Sequence, residues 1–295
     1  MAGILLVDKP GGITSHDVVS RARKALGTRK IGHAGTLDPM ATGLLVLGVD
    51  SATRLLTYMV GLDKTYEATI RLGVATDSDD ADGAVTATAD AAAIAAVAPE
   101  AIARGIAELT GDISQVPSRV SAIKVNGKRA YDLVRAGEDV QLASRAVTVS
   151  RFDVVTTRRS ETAIDLDVVV DCTSGTYIRA LARDLGGALG VGGHLTALRR
   201  TRIGPFSVTD AVAIDDIDAS RLVPQAQAAA GVLGTFPVTA DEARDLRQGK
   251  RLTGAAERLH GPHMAAIDPD GRLVGVVERR GADVKSAMNI PEDAA

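Results

Sequence analysis

Apolar runs and apolar–polar alternation along the chain predict a mixture of strands and helices. The stretch "GILLVDKP" near the N-terminus is a continuous apolar run closed by a Pro-Gly-Gly turn, the pattern of a buried strand. "GLLVLGV" repeats that pattern. "KTYEATIRLGVAT" and "AIDLDVVVDCTSG" alternate instead, as half-buried strands do. In "KTYEATIRLGVAT", the alternation places four residues on one side of the strand: Tyr66, Ala68, Ile70 and Leu72.

Helical periodicity separates these strands. "TSHDVVSRARKALG" predicts a helix capped by Thr14 or Ser15, because a hydroxyl there accepts a hydrogen bond from the first turn. Its apolar face would consist of Val18, Val19, Ala22 and Leu26. Residues 90–111 and "TYIRALARDLGGALG" predict two more helices, and a short one is expected near Tyr131.

The order of elements indicates two domains of α+β type. Strands and helices alternate irregularly, without clean βαβ units. "PQAQAAAGVLG", residues 224–234, reads as a linker. Short-strand signals follow it around an Asp-Pro-Asp-Gly turn. We therefore expect a first domain over residues 1–230 and a small β-rich domain over residues 235–295.

Charge points to a local basic face on an acidic chain. The formal net charge is -3, which does not favour polyanion binding over the whole surface. Between residues 113 and 159, however, Lys and Arg outnumber Asp and Glu. "HLTALRRTRIGPFSV" carries three arginines and no acid. A basic face built from these two segments would suit an anionic partner.

The cysteine content and the lack of long apolar segments indicate the cellular compartment that we expect for the protein. Cys172 is the only cysteine, so an intrachain disulfide is impossible, which fits a reducing compartment. The N-terminal apolar run has no basic leader and is broken by Asp8, Lys9 and Pro10. The longest Ala-rich stretch is interrupted by charged residues and proline, so no membrane span is predicted. We expect a soluble cytoplasmic protein.

The motifs argue against a metal or an organic cofactor. The acidic "DSDDADG" misses the spacing of a calcium loop, and a solvated turn is the interpretation we favour. With one cysteine and no clustered third ligand, a zinc site is not expected. Neither a phosphate-binding loop nor a dinucleotide fingerprint occurs.

The loop "GHAGTLDPMATG" is the strongest candidate for chemistry. Asp38 before Pro39 is typical of a helix start; alternatively, the turn projects the carboxylate into a cleft. A catalytic carboxylate that must stay ionised needs a cation beside it, and Arg179 is a candidate by residue type. An ordinary surface arginine is the alternative. By default His33 would be a core or surface histidine.

Three further residues have plain structural interpretations on local pattern alone. Tyr66 and Tyr177 would be core or strand-face residues. Leu198 would serve helix packing.

Six blocks of the chain, taken in order, resemble the bacterial tRNA pseudouridine-55 synthases. They are "LLVDKPGGITSHDVV", "KIGHAGTLDPMATGLLVLGVDSATR", "KTYEATIRLGVATDSDDADG", "QVPSRVSAIKVNGKRAYDLVRAGEDV", "CTSGTYIRALARDLG" and "GGHLTALRRTRIGPF". They span roughly residues 3–210, and the tail is similar to the small RNA-binding domain called PUA. Ser118 replaces a common second proline and Val120 a frequent aromatic, both within a basic insertion at about residues 113–145.

The resemblance implies the site. Asp38 would be the catalytic aspartate, assisted by Tyr66 and paired with Arg179. The target nucleotide would be contacted by His33, Tyr177, Leu198 and Lys9. RNA phosphates would be contacted by Lys124, Lys128, Arg129, Arg199, Arg200 and Arg202.

The resemblance also implies the fold and the partners. The fold would be a pseudouridine synthase α+β fold, with a mixed, largely antiparallel sheet, flanking helices and a PUA-like C-terminal domain. The partner would be the T-stem-loop of tRNA, bound by a monomer with no obligate protein partner, no metal and no cofactor. Asp38 would attack the base, attack the sugar or take a ribose proton.

Two other functions stay open at this point. The chain could be a non-catalytic module that binds or folds tRNA through the same basic face. It could also be a small-molecule lyase or hydrolase that uses Asp38, although the basic insertion and the tail would then have no purpose.

Overall fold

The computed structural model describes residues 2–119, 124–125, 128–129 and 142–291. The chain divides into two compact units that interleave along the sequence. Unit 1 comprises Met1–Pro39, Gly43–Leu62 and Arg202–Ala295, and unit 2 comprises Met40–Thr42 and Asp63–Thr201. No described helix combines the length and the low polarity that crossing a bilayer requires.

Unit 1 is built on the N-terminal strand. Its strands are β1 (Gly3–Lys9), β2 (Ile31–Ala34), β3 (Thr42–Val49), β13 (Phe206–Ser207), β14 (Val212–Ala213), β15 (Val223–Pro224), β16 (Thr235–Pro237), β17 (His263–Ile267), β18 (Leu273–Arg280) and β19 (Asp283–Asn289). Its helices are α1 (Ser15–Leu26), α2 (Leu56–Met59), α6 (Gln225–Leu233) and α7 (Ala240–Arg247), with 3₁₀ turns at Asp50–Leu55, Val208–Asp210, Ile214–Asp216, Ala219–Arg221 and Ala256–Arg258.

Strand β1 lies at the centre of the unit 1 sheet. It pairs antiparallel with β3 and β15 and parallel with β14, while β2 pairs antiparallel with β3. Leu5 and Val7 of β1 pack in one cluster with the face of α1 predicted from its periodicity, and Thr14 forms the expected capping box with Asp17. The predictions of β1 and α1 are confirmed.

The C-terminal part of unit 1 is a small β-rich layer, as predicted. Strands β16, β17, β18 and β19 form a four-stranded sheet, parallel between β16 and β17 and antiparallel elsewhere. Phe236 and Leu246 are buried in its core. The predicted linker at residues 224–234 is wrong, because helix α6 occupies most of it. Its small apolar residues Ala228 and Ala229 are buried, which gives the segment packing that a linker lacks.

Unit 2 contains the longest strands. They are β4 (Lys64–Leu72), β5 (Val74–Thr76), β6 (Val85–Thr88), β7 (Gly111–Gln115), β8 (Lys124–Val125), β9 (Lys128–Arg129), β10 (Arg145–Arg159), β11 (Ile164–Cys172) and β12 (Gly193–Ile203), whose last two residues belong to unit 1. Its helices are α3 (Ala91–Ala96), α4 (Pro99–Glu108) and α5 (Ile178–Ala188).

The unit 2 sheet has the order β12-β4-β11-β10-β7. Pairing is antiparallel between β4 and β11, β11 and β10, and β10 and β7. The predicted inner side of β4 is buried, with Tyr66, Ala68, Ile70 and Leu72 in the core. The fold class predicted from the sequence, a mixed and largely antiparallel α+β fold, is confirmed.

Three smaller predictions need correction or fall outside the description. The helix predicted over residues 90–111 is two helices, because Pro99 lacks an N–H and starts α4 instead of continuing α3. Leu198 lies in strand β12, not in a helix. The short helix expected near Tyr131 lies outside the described residues.

Helix α5 packs unusually close to the backbone that follows it. A Cβ added at Gly186 would lie 2.2 Å from the carbonyl carbon of Gly192, a distance that real structures do not contain. A Cβ at the neighbouring Gly187 would meet nothing within 4 Å. The close approach therefore requires glycine at one of two adjacent helical positions.

We predict opposite effects for Gly186→Ala and Gly187→Ala. The first should destabilise the fold by about 1–3 kcal/mol through overpacking against rigid backbone. The second should be neutral or stabilise it by up to about 1 kcal/mol, because alanine favours the helix. Urea unfolding of both variants measures this, and equal stabilities would contradict the packing described.

Candidate active site

The loop that carries Asp38 is fixed on both sides. Leu37 exchanges hydrogen bonds with the Ser15 hydroxyl: its N–H donates at 2.9 Å and its carbonyl accepts at 3.2 Å. The Pro39 carbonyl accepts from the Gly12 N–H at 2.8 Å. Asp38 itself is half-buried between these anchors. The backbone around the carboxylate is therefore held in one conformation within unit 1.

The helix-start interpretation of Asp38 is wrong. No helix begins at this residue, and the chain from Gly35 to Ala41 has no repeating structure before it enters β3. The glycine- and threonine-rich composition instead produces an irregular loop, which leaves the cleft interpretation of the carboxylate standing.

Lys9 holds the same loop through hydrogen bonds to backbone carbonyls. Its side chain is fully buried, and its ammonium donates to the carbonyls of Pro10 at 3.0 Å, Ile13 at 2.8 Å and Pro39 at 3.2 Å. Three carbonyl acceptors compensate the buried charge. The structure thus shows Lys9 holding the backbone next to Asp38, and its contact with a nucleotide stays a prediction.

His33 lies in β2, ahead of the loop. It is half-buried, and its ring stands edge-on to that of His16, with ring centroids 5.5 Å apart. It is therefore a packed histidine with a partly accessible ring.

In unit 2, Tyr66 and Leu198 lie on the neighbouring strands β4 and β12, and both side chains are buried. Tyr177 is the residue at which helix α5 begins, and it is half-buried. Together with His33 and Lys9, these are the residues for which the resemblance predicts contact with the nucleotide, and that contact stays a prediction.

Arg179, in the first turn of α5, belongs to a buried ion pair. Only 2% of its surface is exposed. Its guanidinium Nη1 lies 3.2 Å from Oδ2 of Asp80 and donates to the Ser78 carbonyl at 2.8 Å. Arg179 is not the ordinary surface arginine of the alternative interpretation. Its pairing with Asp38 stays a prediction.

The interpretation of "DSDDADG" as a solvated turn holds for the exposed Asp77 but is wrong for the three residues that follow it. Ser78, Asp79 and Asp80 are all buried. Asp80 accepts from the Ser78 hydroxyl and the Asp82 N–H, and the Asp79 carbonyl accepts from Leu195 N–H of β12 at 3.0 Å. Sequence reasoning missed Asp80. Charge balance could have revealed it, because a buried arginine such as Arg179 requires a nearby carboxylate.

Asp79 connects this loop to the start of the basic insertion. Its carboxylate lies 3.2 Å from Arg183, whose other nitrogen donates to the Val116 carbonyl at 2.7 Å. Burial raises the pKa of Asp79, although the Arg183 charge counteracts the rise.

The predicted phosphate contacts fall into distinct environments. Arg200 is 1% exposed, Arg199 is half-buried and lies 3.5 Å from the Thr42 hydroxyl, and Arg202 donates to the Gly204 carbonyl at 3.2 Å. The other three predicted contacts lie in the short strands β8 and β9: Lys124, Lys128 and Arg129. Their side chains are not described, and Val120 lies outside the described residues.

Lys64 forms a second buried cation beside Arg200, and sequence reasoning missed it. It is 5% exposed, on the same side of β4 as Tyr66. Burial, together with the Arg200 charge, lowers the pKa of Lys64 from 10.5 to about 8. Across the part of the chain that the structure describes, no group of three or more His, Cys, Asp or Glu side chains could hold a metal ion.

Comparison with known proteins matches the chain along almost its whole length. Residues 23–178 match the N-terminal domain of the TruB family of pseudouridylate synthases. Residues 179–234 match the C-terminal domain of tRNA pseudouridylate synthase B, and residues 235–291 match the C-terminal domain of tRNA pseudouridine synthase II.

Curated relatives carry the name tRNA pseudouridine synthase B. The protein of Leifsonia xyli is 58% identical over 99% of this chain and 97% of its own length. That of Rhodococcus jostii is 54% identical over 97% and 93%, and that of Mycobacterium ulcerans is 50% identical over 98% and 94%.

Solved structures share the fold. An H/ACA ribonucleoprotein bound to a substrate RNA containing 2′-deoxyuridine superposes with a TM-score of 0.73, at 24% identity, over 99% of this chain and 86% of that one. A Cbf5–Nop10–Gar1 complex gives 0.71 at 23%, with the same coverage. The fold is that of a pseudouridine synthase. Within that class, the chain belongs to the TruB family.

Asp80→Asn should destabilise the fold by about 3–5 kcal/mol, because it removes the negative charge from a buried pair and keeps the shape. The matched control is Asp82→Asn, an exposed carboxylate of the same loop, which should cost less than about 0.5 kcal/mol. Urea unfolding measures both. Similar losses in the two variants would contradict a structural role for the Asp80–Arg179 pair.

Lys64 should make stability rise with pH in the alkaline range. Because the pKa of Lys64 is lower in the folded chain, the unfolded chain binds one more proton between about pH 8 and 10.5, which favours folding as the pH rises. Cys172 stays a thiol over most of this window, since burial raises its pKa to about 11.

The difference in unfolding free energy between wild type and Lys64→Met isolates this effect. It should move in favour of the wild type by about 1–3 kcal/mol from about pH 7.5 to about pH 10. A difference that does not change with pH would show that the lysine is not desolvated.

Proposed function

We propose that this protein converts uridine 55 in the T-loop of tRNA to pseudouridine. The observation that carries the proposal is the continuous match to the TruB family over residues 23–291, with relatives named tRNA pseudouridine synthase B. The fixed Asp38 loop and the buried Arg179–Asp80 pair supply the groups that the chemistry requires.

The reaction is an isomerisation that needs only groups of the protein. The bond from ribose C1′ to uracil N1 breaks, the base rotates, and C1′ rejoins the base at C5. The proton on C5 leaves and N1 gains one, so atoms and charge balance and nothing is oxidised. Asp38 starts the process by attacking the base, by attacking the sugar or by taking a ribose proton.

Access to the uridine requires base flipping. Extruding a stacked base costs a few kcal/mol, which the pocket must return. Stacking of the base on Tyr66 contributes about 1–3 kcal/mol, and the Tyr66 hydroxyl assists proton movement at C5. Tyr177 and Leu198 wall the pocket and exclude water, which strengthens the electrostatic interactions inside.

In this proposal Arg179 keeps Asp38 ionised. A guanidinium close to a carboxylate lowers its pKa and so favours the reactive form. Asp80 holds that guanidinium at 3.2 Å in a buried position, so its orientation is fixed before substrate arrives. A buried, organised cation of this kind supports an enzyme over a non-catalytic RNA-binding module.

The remaining contacts bind and orient the RNA. Lys9 and His33 lie at the Asp38 loop, and His33 fills the space that the flipped base leaves. The RNA backbone is held without sequence reading by Lys124, Lys128, Arg129, Arg199 and Arg202. Arg200, which is 1% exposed, cannot reach a phosphate in this conformation. Recognition is of loop shape. We assign catalysis to residues 1–230 and additional RNA binding to the PUA-like residues 235–295.

We further propose that the enzyme works as a monomer in the cytoplasm, where its tRNA substrate is, with no obligate protein partner and no cofactor. Titrating the purified protein alone with a tRNA transcript, with its mass followed by light scattering, tests this. Activity that requires dimerisation or an added protein would contradict it.

Asp38→Asn should bind tRNA with wild-type affinity but release tritium from 5-tritiated uridine roughly 10³-fold more slowly, or not at all, because the amide is neither nucleophile nor base. Asp215→Asn, an exposed carboxylate of the same unit, is the matched control and should release tritium normally. Undiminished release by Asp38→Asn would end the catalytic assignment.

A further inference from the structure

Where the end of strand β7 meets the start of helix α5, one side chain forms a pair of hydrogen bonds, here called the clamp. The proposed mechanism assigns no role to it. Gln115 is the last residue of β7 and is 1% exposed. Its side-chain nitrogen donates to the Tyr177 carbonyl at 3.1 Å, and its side-chain oxygen accepts from the Tyr177 N–H at 2.8 Å. One carboxamide thus satisfies both backbone groups of one residue.

Only a group that donates and accepts at the same time can form this clamp. A carboxamide does so, an ionised carboxylate accepts only, and a thioether does neither usefully. Because Gln115 is buried, replacing it removes two hydrogen bonds that water cannot easily restore, although the Tyr177 carbonyl also accepts from the Leu181 N–H at 3.3 Å. The residue type at position 115 is therefore set by the Tyr177 backbone.

Tyr177 is the point at which the clamp meets the proposed active site. It is the residue before the first turn of α5, where no side chain caps the helix, and Arg179 follows two residues later. An error in the position of the Tyr177 backbone therefore displaces the Tyr177 ring and the start of the helix that carries the guanidinium.

The residues that follow Gln115 are tied to the same structure. The Val116 carbonyl accepts from Arg183 at 2.7 Å, and the same guanidinium lies 3.2 Å from the carboxylate of Asp79, next to Asp80 in the chain. The described start of the basic insertion is thus joined at one end to the Tyr177 backbone and at the other to the loop that holds Arg179.

We propose that Gln115 is a positioning residue for pseudouridine formation: it fixes Tyr177 and the start of α5 in the geometry that turnover requires. The inference rests on the proposed function, since it assigns Tyr177 and Arg179 to that reaction. Gln115 acts through the backbone that it holds, so its loss should slow turnover of bound RNA much more than it weakens RNA binding.

The first test separates turnover from affinity. In single-turnover assays with a T-arm transcript, Gln115→Met should lower the rate by about 10–100-fold while the Kd for RNA changes less than about 3-fold. The matched control is Gln225→Met, a buried glutamine of unit 1 that bonds to Ser51, which should keep the wild-type rate. A wild-type rate in Gln115→Met, or equal losses in both variants, would overturn the proposal.

The second test uses rescue by protonation. Gln115→Glu keeps the size of the side chain, and its neutral acid form both donates and accepts. Its rate relative to wild type should rise as pH falls from about 8 to about 5.5, since burial raises the pKa of a carboxyl. The described charges near this corner, Asp79 and Arg183, are present in both proteins and cancel in the ratio. A flat ratio would overturn the proposal.

The third test does not depend on activity. The chain has four tyrosines, so 3-fluorotyrosine gives a simple ¹⁹F spectrum in which Tyr177→Phe assigns one line. That line should shift or broaden in Gln115→Met and stay unchanged in Gln225→Met. An unchanged line in Gln115→Met would overturn the positioning claim, whereas a wild-type enzyme that forms no pseudouridine would overturn only the proposed function.

Discussion

The buried ion pair between Arg179 and Asp80 is the interaction on which the rest of unit 2 depends. Removing two charges from water is unfavourable unless each finds its partner in good geometry, so the surrounding structure must keep the pair together. The Ser78 carbonyl and the first turn of α5 do this for the guanidinium. A cation held in this way needs no rearrangement when a substrate arrives, which is the condition for electrostatic catalysis.

In unit 1, the Asp38 loop is also held by buried polar groups, but by hydrogen bonds to its backbone and not by an ion pair. Its carboxylate lies on irregular backbone, which is mobile in most proteins, yet Lys9 and Ser15 hold the residues on either side of it. At Asp38, buried polar groups therefore take the place of regular secondary structure. We infer that these supporting residues, and not only the reactive ones, explain why such blocks of sequence are specific.

The sequence predicted well where one side of an element is buried, and failed where burial depended on distant residues. β1, α1 and the inner side of β4 follow from periodicity alone. Local composition could not show that Asp79 and Asp80 are buried, because their partners Arg183 and Arg179 lie about a hundred residues away. Nor could it show helix α6, whose alanines pack on other parts of unit 1. The role of Asp38 came from the resemblance of whole blocks, since its local pattern favoured a helix start.

A double-mutant cycle on Asp80 and Arg179 tests the central claim most directly. Pseudouridine formed in a T-arm transcript would be mapped by mass spectrometry under single-turnover conditions for Asp80→Asn, Arg179→Met and the double variant. If the pair acts as a unit, the double variant is no slower than the slower single variant. Losses that multiply would show that the two residues act independently, and the account of the site would be wrong.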